Sequence, residues 1–191
     1  MRKTLFLLLL LLVSDFGFGQ MLPISDSELI SSSEDIIQVS VVSSKAQWVN
    51  HDKYIYTFTK VKVDQVFSGK CHVNDTITVV TPGGYDPVKD VGMGVSSQAT
   101  FEQGENAILY LVAAKGEMDA IDYSFLKNEP AVPSNVKRVN GYYQGKHKII
   151  HDKATFKTFV IKSNENKMVD LNLNQSNLRR EIKKLKRANV K

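Results

Sequence analysis

Residues Tyr54 to Phe67 alternate too regularly to form a helix. Ile55, Thr57, Thr59, Val61 and Val63 fall on one side, and Tyr54, Tyr56, Phe58, Lys60 and Lys62 on the other. A period of two, carried by β-branched and aromatic residues, is the pattern of a strand with one buried face. The preceding run, Asp35 to Val49, alternates at Ile37, Val39 and Val41 and holds Trp48 near its end. The turn-rich Asn50-His51-Asp52-Lys53 joins the two runs, so their spacing predicts a long antiparallel hairpin.

The same punctuation continues downstream. Ser68-Gly69-Lys70 interrupts the chain before a third strand, Asp75 to Thr81. Pro82-Gly83-Gly84 ends that strand, because a proline followed by two glycines neither donates to a ladder nor packs a side chain. Tyr85 to Gly94 is expected as a polar loop. Ala107 to Ala113 is nearly all apolar and predicts a central fourth strand, with a further strand over Asp122 to Leu126. Asn140 to Gly145 is a glycine-flanked turn, and Lys146 to Ile150 is expected to be the last strand of a barrel. Phe156, Phe159 and Ile161 are expected to pack over the barrel, as a strand or a short helix. Only Gln175 to Ala188 reads as a helix. Ser176 is its candidate N-cap, and Leu178, Ile182 and Leu185 make a single apolar stripe among basic residues.

Both ends of the chain differ from this middle. Arg2 and Lys3 precede the apolar run Leu5 to Val13, and Gly17-Phe18-Gly19 supplies small residues just before Gln20. That order predicts an exported protein with a signal peptide at 1–19. The apolar run is too short to cross a bilayer, and with no cysteine at the cleavage position a lipid anchor is not expected. Residues 20–33 read as a Ser- and acid-rich leader, 34–161 as one all-β domain, and 162–191 as a linker and basic helix. Charge follows the same division. Arg179, Arg180, Lys183, Lys184, Lys186, Arg187 and Lys191 face a single acid, Glu181, in the last fourteen residues. The chain total of +5 therefore belongs to the tail, and the Gln20–Asn177 body is mildly acidic. Cys71 is the only cysteine, so the domain must hold together by its core rather than by an internal disulfide.

Several stretches come in a familiar order. These are Asp35-Ile36-Ile37, the strand ending Val63-Asp64-Gln65-Val66-Phe67-Ser68-Gly69, and the strand Asn74 to Val79. Thr81-Pro82-Gly83-Gly84 follows, and then Phe101-Glu102-Gln103-Gly104-Glu105 before Ile108-Leu109-Tyr110-Leu111. This order resembles bacterial exported domains related to the netrin-like and tissue-inhibitor-of-metalloproteinase-like modules. The likeness runs from Glu34 to Ile150. It implies a five-stranded OB-like Greek-key barrel, in keeping with the strand count and turn spacing. In the animal inhibitors a disulfide-tied N-terminal cysteine enters the protease site and chelates zinc. Here the mature N-terminus would be Gln20 and Cys71 lies mid-chain, so that device is not carried over.

Catalytic signatures are missing from the sequence. It contains no Gly-x-Ser-x-Gly elbow, His-Glu-x-x-His pair or phosphate-binding loop. His51, His72, His147 and His151 are scattered, and along a strand His147 and His151 would sit roughly 13 Å apart, too far to share a metal. No metal or other cofactor is expected. Cys71 lies between Lys70 and His72, a partly cationic setting, and is expected to be an ordinary free thiol. Tyr54, Tyr56 and Phe58 with Lys60 and Lys62 resemble a single-strand nucleic-acid platform, but an acidic, exported body favours cross-strand packing, and no nucleic acid is expected. The expected function is therefore non-enzymatic binding of an exported protein or envelope component. The candidate surfaces are Pro82, Gly83, Gly84 and Tyr85, together with Arg179, Arg180, Lys183, Lys184, Lys186 and Arg187. Alternatives are polyanion or membrane-surface attachment by the basic helix, or a hydrolase or protease-associated protein with a site assembled from scattered residues.

Overall fold

A computed structural model describes residues 21–49, 53–114, 117–118, 121–122 and 136–188. The chain is mostly β. A short helix α1 (Asp26–Ser32) precedes β1 (Asp35–Val49) and β2 (Tyr54–Ser68), the hairpin that the alternation predicts. β3 (Thr76–Pro82) follows, then a small hairpin of β4 (Gly84–Asp86) and β5 (Val91–Met93) where a polar loop was expected. β6 (Asn106–Ala113) leads to the two-residue strands β7 (Glu117–Met118) and β8 (Ile121–Asp122), then to β9 (Lys137–Val139). β10 (Lys146–Asp152), β11 (Lys157–Lys162) and β12 (Lys167–Asp170) form a meander, and α2 (Leu171–Ala188) closes the order. Of the strand expected over Asp122–Leu126, only Asp122 lies within the described residues.

Eight strands share one sheet in the order β1-β2-β3-β9-β6-β10-β11-β12, and β1 pairs with β6 as well. The pairings therefore run from β1 through β2, β3, β9 and β6 back to β1. All are antiparallel except β3 with β9, which meet in parallel at Val79 and Lys137. β1 serves two neighbours because it bends. Its ladder to β2 shifts register at three points between Ile36 and Ser43, and such bulges coil a strand. The strand between β3 and β6 is β9. Lys146–Ile150, expected to be the last barrel strand, instead lies outside that ring, beyond β6. A three-residue strand such as β9 is too short to show any periodicity.

Alternation along these strands feeds two cores. Ile37, Val39 and Val41 of β1, Val61 and Val63 of β2, and Leu109 and Leu111 of β6 pack inside the ring. The opposite parity, Ile36, Ile108 and Tyr110, faces a second core that includes Leu29, Ile30, Val160, Leu178 and Ile182. β6 is thus buried on both faces, as its unbroken apolar sequence requires. Tyr56 and Phe58 join Val49, Val80 and Val136 in a third cluster, so both belong to cross-strand packing.

Three readings need correction. Residues 20–33 read as a leader without periodicity, yet they contain α1, whose Leu29 is fully buried; seven residues give too few turns to register a period. α2 starts at Leu171 rather than Gln175. Asp170, not Ser176, supplies the cap, its Oδ1 accepting from the N–H groups of Asn172 and Leu173 at 3.0 and 3.2 Å. The sequence Leu171-Asn172-Leu173-Asn174 alternates with period two and hides the helix start. Finally, Phe156 is 83% exposed in the β10–β11 turn, while Val160 is the residue of β11 that reaches the core.

Candidate binding faces

α2 is amphipathic in fact as well as in pattern. Leu178 and Ile182 are buried and Leu185 packs against the same cluster, which docks the helix on α1, β6 and β11. Its basic residues lie on the solvent side. Arg179, Arg180, Lys183, Lys184 and Arg187, with Ser176, surround an open groove of about 450 Å³. Spacings of three and four residues bring these cations together on one helical face. Arg179 lies over the Phe67 ring at 5.2 Å, and Arg180 donates to Asn177 Oδ1 at 3.1 Å. Lys184 meets Glu181 at 3.7 Å, and Lys186 is exposed but does not line the groove.

The second predicted surface divides into structural and exposed parts. Pro82 is buried as the last residue of β3. Gly83 has φ +92°, donates to Ile55 O at 2.8 Å and accepts from Thr57 Oγ1 at 2.8 Å. At Gly84 a Cβ would fall 2.6 Å from Thr57 Oγ1 and 2.8 Å from the Ala46 Cβ. The two glycines therefore let the β4–β5 hairpin fold back on the β1–β2 hairpin. What this hairpin offers to a partner is Tyr85, 55% exposed, and Val88, 91% exposed. Trp48 braces it by donating Nε1–H to Asp86 Oδ2 at 2.7 Å, with Lys89 over the indole at 4.7 Å.

The histidines among the described residues do not converge. His72 is exposed beside Asp75 at 3.6 Å, His151 is exposed near Thr158, and His51 lies outside the described residues. His147 is fully buried with both ring nitrogens unpartnered, its ring edge-on to Tyr110 at 5.1 Å. Burial pushes its pKa down to about 4. Among the described residues no group of three or more His, Cys, Asp or Glu is arranged to hold a metal. Cys71 packs against the ring core. Burial, and then the Asp35 carboxylate, push its thiol up to about 11, the opposite of what a thiolate nucleophile needs.

Sequence reasoning missed two features built from distant segments. The first is Asp35, whose Oδ1 accepts from the N–H groups of Lys70 and Cys71 at 2.7 and 3.2 Å. Its Oδ2 lies 2.9 Å from Lys137 Nζ. The second is a cleft of about 380 Å³ between α1, the β11–β12 hairpin and α2. Lys162 spans part of it, paired with Asp26 and with Glu165 at 2.7 Å. Tyr110 and Asn174 also line it; His147 sits behind Tyr110 and does not. No spacing in the sequence foretells either feature, because the contributing residues lie far apart in the chain, from Asp26 to Glu181 in the cleft.

Compared with known proteins, the chain matches no family model and no curated protein. No helix among the described residues is long and apolar enough to cross a membrane.

Proposed function

We propose that this chain is an exported, non-enzymatic binding module on a netrin-like, OB-type barrel, and that it holds a polyanionic envelope component on the basic face of α2. The observation that carries the binding role is the orientation of that helix. Its apolar stripe is spent on the second core, so five cations are left fixed toward solvent around one groove. Guanidinium groups suit phosphate, sulfate and carboxylate oxygens. With Leu178, Ile182 and Leu185 docked, α2 keeps Leu173 as its one largely exposed apolar side chain, too little to insert into acyl chains, so attachment is electrostatic. The barrel reading is supported by the ring of pairings through β1, β2, β3, β9 and β6, with its one parallel contact. The export reading rests on residues 1–19, which lie outside the described structure.

The test is binding of the Gln20–Lys191 chain to a sulfated or phosphorylated polymer across a salt titration. Affinity should fall steeply with salt. The triple variant Arg180→Gln, Lys183→Gln, Lys184→Gln should weaken it at least about tenfold without lowering stability, since those side chains are exposed. Salt-independent binding, or a triple variant that binds as the parent does, removes the reading.

A second reading is favoured by the exposed apolar tip of the β4–β5 hairpin. Tyr85 and Val88 would then contact an exported protein. Retention of that protein at high salt, lost in Tyr85→Ala with Val88→Ser but kept in the α2 triple variant, would select this surface instead.

A further inference from the structure

We infer that the anionic partner of α2 is a linear acidic polysaccharide that runs on from the helix over the outward face of β2, where Lys60 and Lys62 meet its further charges. This rests on the reading of α2 given above and adds a second contact to it. Alternation sets Lys60 and Lys62 on the side of β2 opposite Val61 and Val63, so both lie outside the ring core. Both are exposed, and neither is in an ion pair among the described residues. Lys45, also exposed, extends the row, because it stands opposite Phe58 in the β1–β2 ladder.

Two contacts place the helix relative to that row. Gln175 Nε2 donates to Gln38 Oε1 at 2.9 Å, and Gln38 pairs with Gln65 of β2. One turn later Arg179 lies over the Phe67 ring at 5.2 Å. α2 therefore advances as β2 does, from the rung of Gln65 toward Phe67, and Lys62 and Lys60 lie behind it on the same strand. Phe67 and Lys62 are roughly 16 Å apart along β2, and Arg179 to Arg187 adds about 12 Å along the helix. The interval between the two groups of cations carries the half-buried amides Gln38, Gln65 and Gln175, which suit sugar hydroxyls. It also carries the exposed acid Asp64, whose Oδ2 accepts from Ser40 Oγ at 2.5 Å. A chain charged at every unit would meet Asp64 there, whereas a polysaccharide can set a neutral ring over it.

The experiment measures binding of the Gln20–Lys191 chain to sulfated dextran oligomers graded in length, with inorganic polyphosphates of matching length beside them. Short oligomers should bind α2 alone. Once they pass roughly 30 Å, long enough to reach both groups of cations, affinity should rise about tenfold. Lys60→Gln with Lys62→Gln should remove that rise and leave the short oligomers unaffected, and polyphosphate should gain less from added length than dextran does. The α2 triple variant, by contrast, should weaken binding at every length. Both lysines are exposed, so the double variant should melt with the parent; if it does not, Lys62→Gln alone carries the same test. A double variant that keeps the rise, or polyphosphate that gains as much as dextran, overturns the inference and leaves the α2 reading standing. Binding unchanged by the triple variant at every length takes down both.

Discussion

Asp35 and Gly69 show how much of this fold turns on single atoms. Gly69 has φ +113°, and a Cβ there would stand 2.1 Å from Asp35 Oδ1. Gly69→Ala would therefore both strain the backbone and push the carboxylate off its three donors. We expect a loss of about 2–4 kcal/mol in denaturant unfolding. Burial alone would raise the Asp35 pKa, but the Lys137 ammonium and the N–H groups of Lys70 and Cys71 outweigh it and hold the carboxyl below its usual value. His147 titrates in a different window. Its folded pKa is about 4, below the ordinary imidazole value of 6.5, so below pH 6.5 the unfolded chain binds a proton that the folded chain refuses. Stability should be full above pH 6.5 and fall toward pH 4, by on the order of 3 kcal/mol. Asp35, with its lowered pKa, gives way only below about pH 3.8. Because the His147 nitrogens bond to nothing, His147→Leu should flatten the upper phase and leave the lower one. Unfolding measured at intervals from pH 7 to pH 3 checks both phases.

Among the elements, α1 and α2 depend on each other. Leu29 of α1 and Leu178 and Ile182 of α2 meet in one cluster, and Lys162 and Asn164 tie the β11–β12 turn to Asp26. Leu29→Ala and Ile182→Ala should each cost about 2–5 kcal/mol by thermal or urea unfolding. Their costs should not add, since both substitutions open the same core. It also follows that cutting the chain after Asn177 is a poor way to remove charge, because it deletes two core residues along with the cations. What the sequence made legible follows the same logic. β1 and β2 declare themselves because many residues repeat one parity, β6 because its apolar run is unbroken, and the α2 stripe because three apolar residues recur at helical spacing. β9, α1 and the β4–β5 hairpin are too short for any period, and the two-faced start of α2 imitates a strand. The candidate surfaces were legible to the same degree. The basic run announces a charged face, whereas the cleft draws on residues from Asp26 to Glu181 and exists only once the chain has folded.

Across the whole molecule, β6 is the hub. One edge pairs with β1, the other is shared by β10 and β9, and its two faces belong to two cores. Amide exchange should therefore be slowest at Ile108 to Leu111 and much faster in β12, which has a single neighbour. Uniform exchange along both strands would contradict that hierarchy.

The meeting of α1 with α2 also bears on when the chain can finish folding. Ribosomes deliver residue 29 about 150 positions before residue 182, at roughly 5–20 residues per second. For that interval Leu29 and Ile30 have no helix to cover them, and the second core stays open however early the β1–β2 hairpin forms. A nascent chain of this design is kept incomplete by its own topology, and its last helix works as the latch.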